Sequence, residues 1–123
     1  MKYQITEQEN YILIEILESQ TSESHYSHFK KLFKAIQLKK INHVILDMNH
    51  MTHFDASGLT MLILGHNTFK ELGSFIICEI PRELEKLIKT NPSAHALDFV
   101  PTLEEAIESV MLTDLENMIK KEG

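Results

Sequence analysis

A chain of 123 residues, 43% hydrophobic and 24% charged, can bury one core without disulfides or metal, so a single domain over 1–123 is expected. The net charge of −6 argues against a nucleic-acid surface, which needs clustered Lys and Arg. No apolar run approaches the length that spans a bilayer, and Met1–Glu7 turns polar at once instead of forming a signal peptide, so no membrane contact and a cytoplasmic location are expected.

Residues 2–6 predict a short edge strand, followed by a polar turn at Glu7–Asn10. Tyr11–Leu17, rich in β-branched residues and aliphatic on both faces, predicts a strand. Thr21 or Ser22 is expected to cap a helix over residues 22–38, with Tyr26, Phe29, Leu32, Phe33 and Ile36 as its apolar stripe. Lys30, Lys31, Lys34, Lys39 and Lys40 then form a solvated face that suits a helix C-terminus. Val44–Met48 is almost unbroken apolar sequence, the pattern of a strand buried on both faces. Leu59, Leu62, Ile63, His66, Phe69 and Leu72 recur at helical spacing until Gly73, which is expected to stop the helix.

Phe75–Ile80 predicts another buried strand. It contains Cys78, the single cysteine, which reads as a buried reduced thiol. Pro81 is expected at the first position of a helix that turns Leu84, Leu87 and Ile88 inward and ends before Asn91-Pro92. Ala96–Val100 predicts a last strand. Thr102 with Glu105 forms a capping box for a helix whose apolar positions are Leu103, Ala106, Ile107, Val110 and Met111. Thr113–Glu116 repeats that pattern, so an extra C-terminal helix over 113–123 is expected, with Leu115, Met118 and Ile119 either packing back on the domain, the favoured reading, or meeting a partner. Strands alternating with helices imply an α/β sandwich on a largely parallel sheet behind an N-terminal antiparallel pair.

The chemistry converges on His53-Phe54-Asp55-Ala56-Ser57-Gly58-Leu59, where strand, turn and helix meet. Asp55 and Ser57 can cap the helix, and Gly58 lets backbone approach backbone. Ser57 thus presents a hydroxyl at a positive helix end, where an added phosphate is tolerated. Met61, Leu64 and Thr68 follow Ser57 at i+4, i+7 and i+11. Either Met61 and Leu64 form a partly exposed apolar patch beside the hydroxyl, or the helix is buried nearly all round; the pattern leaves both open.

Enzyme readings are weaker. The hydrolase elbow needs Gly-x-Ser-x-Gly, which this turn lacks, and four glycines build neither a P-loop nor a dinucleotide fingerprint. His50-x-x-His53-x-Asp55 has donor types suited to zinc, but ordinary turn and surface histidines are favoured. His25, His28, His43, His66 and His95 are read in the same way, as surface or hydrogen-bonded core residues. No catalytic residue, metal site or cofactor is expected.

Val44–Met48 followed by Phe54-Asp55-Ala56-Ser57-Gly58-Leu59 resembles the signature of STAS domains, specifically bacterial anti-sigma factor antagonists. The resemblance continues through the strand at 75–80, the Pro81 helix and Leu97–Ala106. It implies a mixed sheet of four or five strands with about four helices, and a protein that is a substrate, not an enzyme. By this resemblance Ser57 would be phosphorylated by an anti-sigma factor that is itself a serine kinase using ATP and magnesium. A metal-dependent serine/threonine phosphatase would reverse the step. The unphosphorylated form would bind the kinase and free a sigma factor, through a surface at Asp55, Ala56, Ser57, Gly58, Met61 and Leu64.

Two departures stand out. Ala56 occupies a position where such antagonists often carry serine, and Glu18-Ser19-Gln20-Thr21-Ser22 replaces a Gly-x-Leu-Asp motif whose aspartate lies near the phosphosite. Glu18 and Ser22 are the candidate substitutes. The alternative is a constitutive scaffold or ligand-sensing STAS module in which Ser57 is only a helix cap.

Overall fold

The computed structural model describes residues 2–122. Five strands and four α-helices follow in the order β1 (Tyr3–Glu7), β2 (Ile12–Ile16), α1 (His25–Gln37), β3 (His43–Asp47), α2 (Ala56–Phe69), β4 (Ser74–Cys78), α3 (Arg82–Thr90), β5 (Asp98–Val100) and α4 (Leu103–Glu122). A short 3₁₀ turn, Pro92–Ala94, separates α3 from β5.

The sheet runs β1-β2-β3-β4-β5. β1 pairs antiparallel with β2, and each later pair is parallel. Successive parallel strands added in one direction by right-handed crossovers put every connecting helix on the same face. α1, α2 and α3 accordingly cover one face, and α4 alone covers the other. The period of two along each strand sorts the side chains. Ile12, Ile14, Val44, Leu46, Phe75 and Ile77 join the larger core, while Leu13, Ile45, Ile76 and Cys78 face Ala106 and Val110 of α4.

β3 is buried along its whole length, as its unbroken apolar run predicts. An aromatic cluster fills the larger core. Phe33 lies 5.5 Å from both Phe29 and Phe69 and 5.8 Å from Phe75, with edge-on contacts to the last two. Burial raises the Cys78 thiol pKa to about 12, with the nearby Asp47 and Glu79 charges adding to the effect, which disfavours the nucleophilic thiolate.

Several boundaries differ from the sequence expectation. α1 begins at His25 behind Ser24, whose side chain makes no capping bond. The Ser22 hydroxyl instead bonds the Ser24 hydroxyl and accepts the Ser24 N–H, and Thr21 is used elsewhere. Pro81 occupies the N-cap of α3, one residue before the expected first position. α2 ends at Phe69, and Leu72 lies beyond it, 42% exposed. No glycine among the described residues has a positive φ, so Gly73 does not stop the helix by turning left-handed. A Cβ there would sit 1.6 Å from the Asn42 carbonyl oxygen, so the residue is required by a close backbone crossing.

The C-terminus departs furthest. Thr102 does accept the Glu105 N–H at 3.2 Å, but the Leu103 N–H goes to the Glu79 carboxylate at 3.3 Å. α4 then runs on without a second start. Thr113 donates its hydroxyl back to the Ser109 carbonyl at 2.9 Å, a mid-helix arrangement incompatible with a cap. Met111, Leu115, Met118 and Ile119 do not pack on the domain; all are more than half exposed.

The close crossing at Gly73 is directly testable. Gly73→Ala and Gly73→Asn are each expected to lower stability by more than about 1 kcal/mol in urea unfolding, because both add a Cβ against Asn42. A left-handed stop would instead tolerate Asn.

Candidate functional site

Two loops at the carboxyl ends of β2 and β3 are zipped together. The Thr52 and His53 N–H groups donate to the Ser19 carbonyl at 2.8 and 3.0 Å, and the Thr21 N–H reaches the His53 carbonyl at 3.3 Å. Glu83 of α3 accepts the Phe54 N–H at 2.8 Å, which fixes the loop from its other side. Phe54 is buried in the larger core. A Cβ at Gly58 would lie 2.6 Å from the Thr21 methyl and 2.7 Å from the Phe54 ring. Only glycine therefore lets the first turn of α2 settle against both loops.

This packing delivers Thr21 to Asp55. Asp55 is the N-cap of α2 in extended backbone, φ −125° and ψ −172°, as its residue type predicts. Its Oδ1 accepts four donors: the Ser57 hydroxyl at 2.6 Å, the Thr21 hydroxyl at 2.7 Å, and the Ser57 and Gly58 N–H groups at 3.0 and 3.2 Å. The Asp55 N–H in turn donates to Thr21 Oγ1 at 3.2 Å. The Ser57 hydroxyl, followed by that of Thr21, holds the carboxyl below its usual pKa. Hydrogen bonds to the charged form favour it.

Ser57 sits in the first turn of α2, half-buried, beside exposed Ala56 and Thr60. Together with Glu23 and Tyr26 of the neighbouring segment they line a shallow surface depression. The hydroxyl is therefore reachable at the positive end of a helix of 14 residues. Chemically, the arrangement presents an oriented serine oxygen with a carboxylate holding its proton.

Asp55, Ala56, Ser57 and Gly58 come together as the sequence suggests. Met61 does not join them on the surface: it is 2% exposed and belongs to the larger core. Leu64 is half-buried and also packs on that core. The reason is the central position of α2, which touches both α1 and α3 and rests on β4. Neither reading of this helix holds in full: Met61 is inside and Leu64 only partly so, while Ala56, Thr60 and Asn67 leave one face open, and the rim of the site is Tyr26, Ala56 and Thr60 instead of an apolar patch.

Neither candidate substitute in the β2–α1 loop reaches Ser57. Glu18 accepts the Lys2 N–H at 2.8 Å, which turns it toward β1, and Ser22 bonds Ser24. Thr21 is the residue that sequence reasoning misplaced. It reads locally as a helix cap, and no signal within its own segment points to a partner 34 residues away. Among the described residues no three His, Cys, Asp or Glu side chains converge as a metal site, and no helix is long and apolar enough to cross a membrane.

The family model for the STAS domain matches residues 2–106. The chain belongs to the STAS domain family. Solved structures agree with that fold. An anti-sigma factor antagonist (STAS) domain protein from Planctomyces limnophilus superposes on this STAS domain with a TM-score of 0.75 at 17% identity, covering 88% of this chain and 96% of the other. The phosphorylated form of SpoIIAA from Bacillus gives 0.66 at 13% identity, covering 89% and 99%. A serine-to-glutamate variant of RsbS from Moorella thermoacetica gives 0.74 at 15% identity, covering 98% and 99%. At these identities the likeness is one of fold, and the chemistry of this STAS domain rests on its own residues.

The Asp55 hub carries a pH signature. Because its folded-state pKa is lowered, its contribution to stability is complete above the ordinary carboxylate value of about 4 and is lost as pH falls through the folded-state value. Asp55→Ala is expected to cost about 1–2 kcal/mol at pH 7, with the gap to the parent closing progressively below about pH 4. Urea unfolding across pH 2.5–7 (a range bracketing ordinary carboxylate titration) measures it.

Proposed function

We propose that this STAS domain is an anti-sigma factor antagonist controlled by phosphorylation of Ser57. The observation that carries the reading is the Ser57 hydroxyl, accessible at the α2 N-terminus and oriented by a 2.6 Å bond to Asp55. Membership of the family and the antagonists among its structural neighbours support it. The domain acts here as a substrate, not an enzyme. An anti-sigma factor serine kinase transfers the γ-phosphoryl group of ATP to Ser57 Oγ, the hydroxyl proton leaves and ADP is released. A serine/threonine phosphatase restores the hydroxyl.

The switch follows from charge and bulk. Phosphorylation removes the O–H that donates to Asp55 Oδ1 and adds roughly two negative charges beside that carboxylate. The helix N-terminus offsets part of this cost, so the fold survives. A partner seated over Tyr26, Ala56, Ser57 and Thr60 meets a new dianion in its interface. Desolvating that charge without a matching cation abolishes tight binding.

One observation favours a second reading, in which Ser57 is purely structural. Its hydroxyl is already engaged by the cap residue, so a constitutive scaffold would use the same bond to stabilise α2. The two readings separate experimentally. Under the switch, protein purified from its own cells carries one phosphoryl group within a peptide spanning residues 51–70. Ser57→Asp binds the cognate kinase at least about tenfold more weakly than Ser57→Ala, a difference of about 1.4 kcal/mol, while both variants remain folded. Equal affinities, together with an unmodified Ser57 when the phosphatase is removed, would establish the scaffold.

A further inference from the structure

Capping α2 does not require Thr21. A helix N-cap needs a side-chain oxygen bonded to N–H groups of the first turn, and the Ser57 and Gly58 N–H groups already meet Asp55 Oδ1 at 3.0 and 3.2 Å. The Ser57 hydroxyl, at 2.6 Å, belongs to the same turn. Three of the four donors on this oxygen therefore move with α2. The fourth, the Thr21 hydroxyl at 2.7 Å, ties the carboxylate to the rest of the domain.

Thr21 does so at two points. Its hydroxyl donates to Asp55 Oδ1, and its Oγ1 accepts the Asp55 N–H at 3.2 Å. The backbone nitrogen and the carboxylate of one residue are thus clamped by a single oxygen, which leaves the Asp55 side-chain torsions little freedom. Thr21 is itself fixed. Its N–H is bonded to the His53 carbonyl at 3.3 Å, and the nearby Ser19 carbonyl takes the Thr52 and His53 N–H groups. Its methyl occupies the space that a Cβ on Gly58 would need. Thr21 also stands apart from the surface that a partner over Ser57 covers. It faces a separate small cleft beside Gln20 and Glu83, and the depression at Ser57 is lined by Glu23, Tyr26, Ala56 and Thr60.

We infer that Thr21 is a positioning residue for modification of Ser57, holding the Asp55 carboxylate in the orientation that presents the Ser57 oxygen to a phosphoryl donor. The inference rests on the reading of Ser57 as the phosphorylated residue. With its proton directed at Asp55, the hydroxyl keeps its lone pairs for the incoming phosphorus. Without the clamp the carboxylate is free to turn, and the hydroxyl follows it. Thr21 therefore acts on the chemical step and not on docking.

The test is initial-rate labelling of the purified full chain in a lysate of its own cells, with magnesium and ATP radiolabelled at the γ-phosphate, and Ser57→Ala as the blank. Thr21→Val keeps the methyl and the shape without the hydroxyl, and Thr21→Ser keeps the hydroxyl. The rate at saturating chain concentration is expected to fall about tenfold in Thr21→Val, the scale of one hydrogen bond to a charged group. The half-saturating concentration should stay unchanged, and Thr21→Ser should restore the rate. A second measurement needs no kinase. The Thr21 hydroxyl is, after that of Ser57, a cause of the lowered Asp55 pKa. The Asp55 carboxyl carbon, followed by NMR, should therefore titrate at higher pH in Thr21→Val and Thr21→Ala than in the parent or Thr21→Ser. Equal labelling of Thr21→Val and the parent overturns the inference and leaves Ser57 as the site. An unshifted Asp55 titration overturns it too, as does a change confined to the half-saturating concentration, which would assign Thr21 to docking. A parent chain that gains no Ser57-dependent label overturns the function proposed for Ser57, and the role of Thr21 falls with it.

Discussion

One carboxylate oxygen, Oδ1 of Asp55, holds the Ser57 end of this molecule together. It caps α2, orients the Ser57 hydroxyl and ties in Thr21 from a loop that follows a different strand. The Ser57 and Thr21 hydroxyls, with the two N–H donors, lower the carboxyl's pKa, and a charged acceptor in turn strengthens each of those bonds. The hub also couples chemistry to structure. Any change at Ser57 Oγ is felt by the cap, and through Thr21 by the loop leading into α1. A modification there perturbs the seam between two loops as well as the surface it decorates.

The hub depends on sheet topology for its position. Adding β3 beside β2 in parallel places the carboxyl ends of both strands side by side, with their exit loops adjacent. Ser19 and His53 then meet across that seam, and Gly58 lets α2 lie flat against it. Sequential strand order sends α1, α2 and α3 to one face, so α2 is flanked on both sides and buries Met61 as well as Leu59, Leu62 and Phe69. The same rule leaves the opposite face to α4 alone. The molecule thus has two separate outward surfaces, a polar one around Ser57 and an apolar one along α4.

Much of this was legible from residue patterns. The buried central strand, the amphipathic α1, the Asp55 cap and the approach at Gly58 are consequences of local spacing and residue type, and the structure reproduces them. The sequence resemblance to STAS domains carried the fold with it, and the family match over residues 2–106 bears that out. Misreadings fell where a residue had two locally acceptable uses. Thr21 suits a helix N-cap, Gly73 suits a helix stop, and Thr113–Glu116 suits a second helix start. In each case a contact distant in sequence, or the uninterrupted run of α4, decided otherwise.

What the sequence determined by itself is the set of elements, because hydrophobic period and capping chemistry are short-range and act within a few residues. It also determined that a serine hydroxyl stands at a helix N-terminus beside a carboxylate. Only the tertiary structure decided which apolar residues are inside. Met61 is buried and Leu115 exposed, although both lie on helices of similar apolar content, because burial depends on how many neighbours a helix has. α2 has helices on both sides and a sheet beneath it, whereas α4 has the sheet alone.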